Sequence, residues 1–305
     1  MNRGNVERHF NDRFLLGDNP FIGVNHLSQE RSRERAEKFD SAGIASIISS
    51  ALDSGAQGLV CSVHPNMANA LRHLRDRHYE KAFGINLIVP DIQYYVRRAS
   101  EKGTLGLVTE ALGGLSPRGK ATAFIGSGLS VLSASPTGLM TSFVSAQMSQ
   151  FEKFIPARAR VKSVFLHELL TELMVSFNMK ELAQAYIGFV KDTLGVCPGF
   201  VTRNFARFVD FALEAGLSDT EILVMTPFNK VGFQMNPSRD ECEAALRRIG
   251  KIKVVAMSVL AAGFIDLNEA ITYLANFPRI ESVVVGCTTS EQARETFSSL
   301  QSRLH

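Results

Sequence analysis

No two cysteines in this 305-residue chain have the CxxC spacing of a zinc or redox motif. The four present, Cys61, Cys197, Cys242 and Cys287, lie far apart. That excludes a disulfide framework and fits reduced thiols in an intracellular, cytoplasmic protein. There is no HxH pair and no helical HxxxH, so the metal-ligand spacings are missing and no metal is expected. No apolar run reaches the length of a membrane span, and the polar first fourteen residues lack the apolar core of a signal peptide. Charge of one sign is missing too. Thirty-three Lys and Arg against 30 Asp and Glu leave +3, too little to argue for nucleic acid. The Gly126-Ser-Gly128 stretch has no third glycine at the Rossmann spacing and follows no clear strand, so it is not a dinucleotide fingerprint.

What is present is alternation. Short apolar, β-branched runs are followed again and again by polar turns and helix starts. Strand candidates are Phe21–Asn25, Gly58–Ser62, Ala82–Val89, Val161–His167, Gly199–Thr202, Glu221–Thr226, Val254–Met257 and Ser282–Val285. Helix patterns lie between them, over 31–55, 65–77, 92–102, a long stretch from 168 to about 194, and 205–215. Capping boxes are expected at Ser238 with Glu241, Asp266 with Glu269, and Thr288 with Glu291. Eight strand–helix units without a Gly-rich turn after the first strand predict an α/β fold of the (β/α)8 TIM-barrel type, preferred over a doubly wound open sheet. The whole chain, 1–305, reads as one domain. The connection over 104–160 is too long for a loop and predicts a helical insertion between strands 3 and 4, with helices near 105–115 and 137–154. Such an insertion suits a lid or an oligomer contact.

Ligands of a barrel bind where the C-terminal strand ends converge, so the polar residues there are the candidates. Asn25, His26, Asn86, Asn229 and Lys230 are candidate substrate groups. His167, directly after VFL, is a candidate general acid or electrophile, and His64 a second. Each has a plain alternative. His167 suits a structural role at the rim, Asn204 suits a helix N-cap, and Lys230 suits an exposed contact to anions. Glu168 is expected to point away from the pocket or to cap the next helix. Cys61 and Cys287 have no base beside them in sequence, which argues against a nucleophile.

Taken in order, the segments VFLHE, FVTRNF, VVAMSVLAAG and VVVGCTTSEQARET resemble the aldo-keto reductase family over about 161–296, with a weaker likeness over 20–89. The resemblance implies a nicotinamide cofactor, NADP or NAD, and a carbonyl or hydroxyl substrate. It places Arg203, Asn204, Met257, Ser258, Leu260 and Gly263 at the cofactor. It adds Gly286, Cys287, Thr288, Thr289 and Gln292 around the cofactor phosphates, at a helix N-terminus. Within the family's catalytic set only His167 matches. Val60 stands where the Asp would be, Asn86 is what strand three offers in place of the Lys, and no Tyr lies near His64. Met257 replaces an aromatic ring, and Arg203 replaces a Ser.

Three functions therefore stand open: an atypical NAD(P)-linked oxidoreductase, a non-redox lyase, isomerase or hydrolase acting on a polar or phosphorylated molecule, and a catalytically inactive binding subunit. The expected partner is a small molecule, with no nucleic acid and no membrane. An oligomer through the 104–160 insertion is a further expectation.

Overall fold

The computed structural model describes residues 10–22, 39–90 and 136–304. Its strands are β1 (Phe14–Gly17), β2 (Gly58–Ser62), β3 (Phe83–Val89), β4 (Ala159–Leu166), β5 (Cys197–Val201), β6 (Leu223–Pro227), β7 (Lys253–Met257) and β8 (Ile280–Gly286). They run parallel and close into a barrel in sequence order, β8 pairing back onto β1. The helices are α1 (Ser41–Asp53), α2 (Pro65–Asp76), α3 (Pro136–Phe151), α4 (Glu168–Ser176), α5 (Lys180–Gly188), α6 (Phe205–Glu214), α7 (Arg239–Ala245), α8 (Leu267–Leu274) and α9 (Ser290–Arg303). This is a (β/α)8 barrel. Among the described residues no helix is long and apolar enough to cross a membrane.

Both faces of each strand are apolar because both are covered, which is why the strands read as unbroken apolar runs. Successive side chains still alternate. In β4, Val164 and Leu166 pack outward against helices while Phe165 fills the barrel; in β8, Val283 and Val285 point out and Val284 points in. Phe165 has room because Gly199 faces it: a Cβ on Gly199 would come within 2.5 Å of the ring. Asn86 is also inside and fully buried. Its Nδ2 donates to the Leu59 carbonyl at 3.1 Å, and its Oδ1 accepts from Ser163 Oγ at 2.6 Å.

The floor is sealed by the segment before β1. Phe10 plugs the barrel interior, and Lys253 Nζ donates to its carbonyl at 3.1 Å. Asp12, only 4% exposed, pairs with Lys162, which sits at a register shift between β3 and β4. A Cβ on Gly84 would strike the Asp12 carboxylate at 2.1 Å, so the ion pair needs that glycine.

Three expectations are corrected. The first strand is Phe14–Gly17, not Phe21–Asn25: FLLG is the run that can alternate into both cores, whereas Phe21 sits buried in a turn after Asp18. The long helix after β4 is two helices, broken where Asn178 takes a left-handed φ of 52°. The last capping pair is shifted by one residue. Thr289 Oγ1 accepts from Gln292 N at 3.1 Å, and Thr288 with Glu291 does not form the box. The boxes at Ser238 and Asp266 start α7 and α8 as expected, through accepted bonds from Glu241 N at 3.2 Å and Glu269 N at 2.8 Å. The helix expected near 137–154 is α3 with a short 3-10 turn after it. The expected helices near 92–102 and 105–115 lie outside the described residues.

Burial raises the Asp12 pKa above its ordinary 3.8, and Lys162 opposes the rise. Ionising Asp12 therefore costs the folded state stability, a cost absent at acid pH and growing as pH rises through the folded pKa. Lys162→Met removes the compensation. It is expected to lower stability in urea by about 2 kcal/mol near neutral pH, less than for a fully buried pair because Lys162 is partly exposed. The deficit should shrink toward about pH 4; an equal deficit at both pH values would contradict this.

Candidate functional site

A cavity of about 330 Å³ opens at the C-terminal end of the barrel. Strand parity selects its lining. The inward residues Val60, Phe165, Val201 and Val255 continue upward to Ser62, His167, Arg203 and Met257. Asp18, Gln234 and Ser258 join from loops, and Ile88, Met225 and Val284 form the apolar base. The size suits a small metabolite, at the lower end of the usual range for ligand pockets.

His167 is the N-cap of α4. Its Nδ1 accepts from Leu169 N at 3.1 Å, which assigns the neutral ring's proton to Nε2. The next residue, Glu168, lines the cavity and does not turn away. Arg203 Nε lies 2.9 Å and 3.0 Å from its two carboxylate oxygens. Burial pushes the Glu168 pKa above its ordinary value; Arg203 pulls it down, and the nearby Glu172 pushes it up.

Glu172, one helical turn on, holds the β5 loop. Its Oε1 accepts from Thr202 Oγ1 at 2.8 Å, from Arg203 N at 2.9 Å and from Asn204 N at 3.3 Å. Its Oε2 accepts from Asn204 Nδ2 at 2.8 Å. The loop thus reaches α6 with Arg203 turned inward. On the opposite wall Asp18, nearly buried, accepts from Ser62 N at 2.7 Å.

The other expected residues lie elsewhere. His64 caps α2, accepting from Asn66 N at 3.2 Å, and lines a separate cavity with Gln147, Phe151 and Phe154. The two histidines do not share a pocket. Asn86 is sealed inside the barrel. Asn229 is fully buried and ties two loops, donating to the carbonyls of Phe233 at 2.9 Å and Ser258 at 3.2 Å and accepting from Phe233 N at 2.8 Å. Lys230 pairs with Glu269 at 2.6 Å on the surface. Leu260 and Gly263 belong to the turn after β7 and do not line the cavity. Cys287 points outward into the helix layer, and burial raises its thiol to about 11. Gly286 lies against Pro20: a Cβ there would meet the proline ring at 3.0 Å. Thr288 donates through N and Oγ1 to Gln292 Oε1 at 2.8 Å and 3.0 Å. Asn25 and His26 lie outside the described residues.

No protein-family model matches the chain, and no curated protein matches it in sequence. Solved structures do. A putative aldo-keto reductase from Pseudomonas aeruginosa superposes with a TM-score of 0.53 at 14% identity, covering 98% of this chain and 93% of its own. The holo form of an aldo-keto reductase from Bacillus halodurans gives 0.53 at 9% identity, covering 95% and 86%. The chain has the aldo-keto reductase fold. At these identities the likeness concerns the fold, and the site must be read from its own residues.

On that reading the described residues do not fit a dinucleotide in the expected manner. The backbone N–H of Thr288 is already satisfied by Gln292. The Asn204 amide is held by Glu172. Three carboxylates, Asp18, Glu168 and Glu172, line the cavity against one guanidinium, a poor setting for a diphosphate.

Glu172→Ala would leave Thr202 Oγ1, Arg203 N and Asn204 Nδ2 without their acceptor, while Asn204 N keeps its bond to Thr202 Oγ1 at 3.0 Å. It is expected to cost about 2 kcal/mol in chemical denaturation, with Glu172→Gln recovering about half. A change below about 0.5 kcal/mol for Glu172→Ala would contradict the grip.

Proposed function

We propose that this chain is an aldo-keto-reductase-like enzyme that handles protons on a small carbonyl or hydroxyl compound in the barrel mouth. The observation that supports it is the cluster of His167, Glu168 and Arg203 around one small cavity. Glu168 is the proton donor. Its raised pKa keeps the acid form available at higher pH than for an exposed glutamate, and Arg203 stabilises the carboxylate left behind. His167, with its proton on Nε2, donates a hydrogen bond to the substrate carbonyl oxygen that Glu168 protonates, and the Glu168 carboxylate takes up the proton lost from the adjacent carbon, so the substrate is enolised with no oxidant or reductant. His64 stands outside this cluster.

A second reading, NAD(P)-linked oxidoreduction, is favoured by the fold neighbours and by His167 at the end of β4. NADP or NAD would supply hydride there. The Thr288 N–H and hydroxyl, both taken up by Gln292, weigh against it, and no step is assigned to a dinucleotide.

The test is turnover of a panel of small aldehydes, ketones and hydroxy compounds, followed by NMR with and without NADPH or NADH. Glu168→Gln is expected to lower the rate on a converted compound by roughly 10²–10⁴-fold while substrate affinity holds. The wild-type rate should fall as pH rises through the Glu168 pKa, above the ordinary glutamate value, and Glu168→Gln should lose that limb. Unchanged turnover in Glu168→Gln would refute the assignment. Turnover only with added dinucleotide would favour the second reading.

A further inference from the structure

The Arg203 guanidinium carries several N–H groups, and Glu168 uses one of them. Only Nε meets that carboxylate, at 2.9 Å and 3.0 Å from its two oxygens. The N–H groups on Nη1 and Nη2 have no acceptor among the described residues. Both nitrogens are open to solvent, the side chain being 33% exposed, and the residue lines the cavity. Arg203 is fixed from behind. Its backbone N–H donates to Glu172 at 2.9 Å, and its carbonyl accepts from Asn236 N at 3.0 Å. A planar guanidinium anchored through Nε presents its Nη edge as a preset fork. That geometry matches a carboxylate with two parallel hydrogen bonds.

We infer that Arg203 binds the substrate through a carboxylate held on its Nη edge, and that the substrate is a 2-oxo acid. This rests on the proton-handling reading of the same cavity. The other carboxylates of the wall are engaged elsewhere. Glu172 meets its four donors in the β5 loop, Asp18 accepts from Ser62 N on the opposite wall, and neither forms an ion pair with Arg203. Glu168 is in its acid form when the reaction starts, so one substrate carboxylate meets one guanidinium, a match that a diphosphate would exceed. The rigid fork also sets the spacing. Glu168 touches Nε and the substrate carboxylate touches Nη, so the two carboxyl groups lie side by side. The carbonyl within reach of Glu168 is then the one next to the substrate carboxylate. The apolar base of Ile88, Met225 and Val284 takes the remaining carbon chain. In that pose the tautomerisation balances. The carbonyl oxygen gains the Glu168 proton, the C–H bond beyond the carbonyl breaks, and its proton goes to the Glu168 carboxylate.

The experiment uses 2-oxobutanoate and its neutral isostere 2-oxobutanamide, with affinities measured by protein-observed NMR on the full chain. Wild type is expected to bind the acid at least about tenfold more tightly than the amide. Arg203→Met should weaken the acid by about tenfold or more and leave the amide unchanged. Arg203→Lys should recover only part of the loss, because an ammonium is a point charge without the fork. An arginine that served only to hold Glu168 would shift both probes alike. Equal affinity for acid and amide, no binding of the acid to folded wild type, or an acid affinity unmoved in Arg203→Met would overturn the inference. Proton handling is read separately, from exchange of the protons beside the carbonyl of 2-oxobutanoate for deuterium in heavy water. Glu168→Gln should keep the acid affinity and lose that exchange. Exchange by wild type with equal affinity for the two probes would sink the carboxylate assignment alone. Tight, Arg203-dependent acid binding without exchange would sink proton handling alone, so the two failures are distinguishable.

Discussion

A single carboxylate organises the mouth of this barrel. Glu172 reaches from α4 to the β5 loop and accepts from three backbone and side-chain N–H groups and one hydroxyl. Those bonds fix where β5 ends and turn Arg203 inward, and Arg203 in turn fixes Glu168. A carboxylate accepting several donors is a strong restraint because each bond is charge-assisted. The site is thus built by two adjacent strand–helix units, β4–α4 and β5–α6. The β6 and β7 loops are tied to it through Asn229 and Asn236.

The same restraint changes what the fold can be used for. Asn204 stands where the family resemblance places a cofactor-holding amide, but Glu172 occupies that amide. At the other end of the expected cradle, Gln292 occupies Thr288. Groups that could have met a ligand are satisfied from within. On the proposed reading, chemistry in the mouth falls to His167 and Glu168, in a lining where carboxylates outnumber the guanidinium. Fold likeness and site chemistry thus point in different directions, as expected when function is carried by a few side chains on a widely used scaffold.

Much of the barrel was legible in the sequence because buried parallel strands are continuous apolar runs ended by polar turns; seven of the strand candidates overlap the strands named above. The first was displaced because FLLG follows a polar stretch and is only four residues long. That displacement hid Asp18. His167, Arg203, Met257 and Ser258 were legible as strand ends, and the structure brings them to one cavity. Asn86 and Cys287 were strand-end residues of the right chemistry that parity or depth removes from it. Counting by twos from Val60 or Phe165 would have separated Ser62 from Cys61 and His167 from Leu166. Glu172 carried a weaker signal, four residues after Glu168 on the same helix face. Gln234 carried none, since its conformation depends on Asn229 and on contacts between loops.

The central claim is that Glu168 is a proton donor tuned by its surroundings, with burial outweighing Arg203. A carbon-detected NMR titration of the Glu168 carboxyl tests it most directly. The account predicts a midpoint above the ordinary glutamate value of 4.5, moving higher still when Arg203 is replaced by Met. A midpoint at or below 4.5 in the intact protein would contradict it.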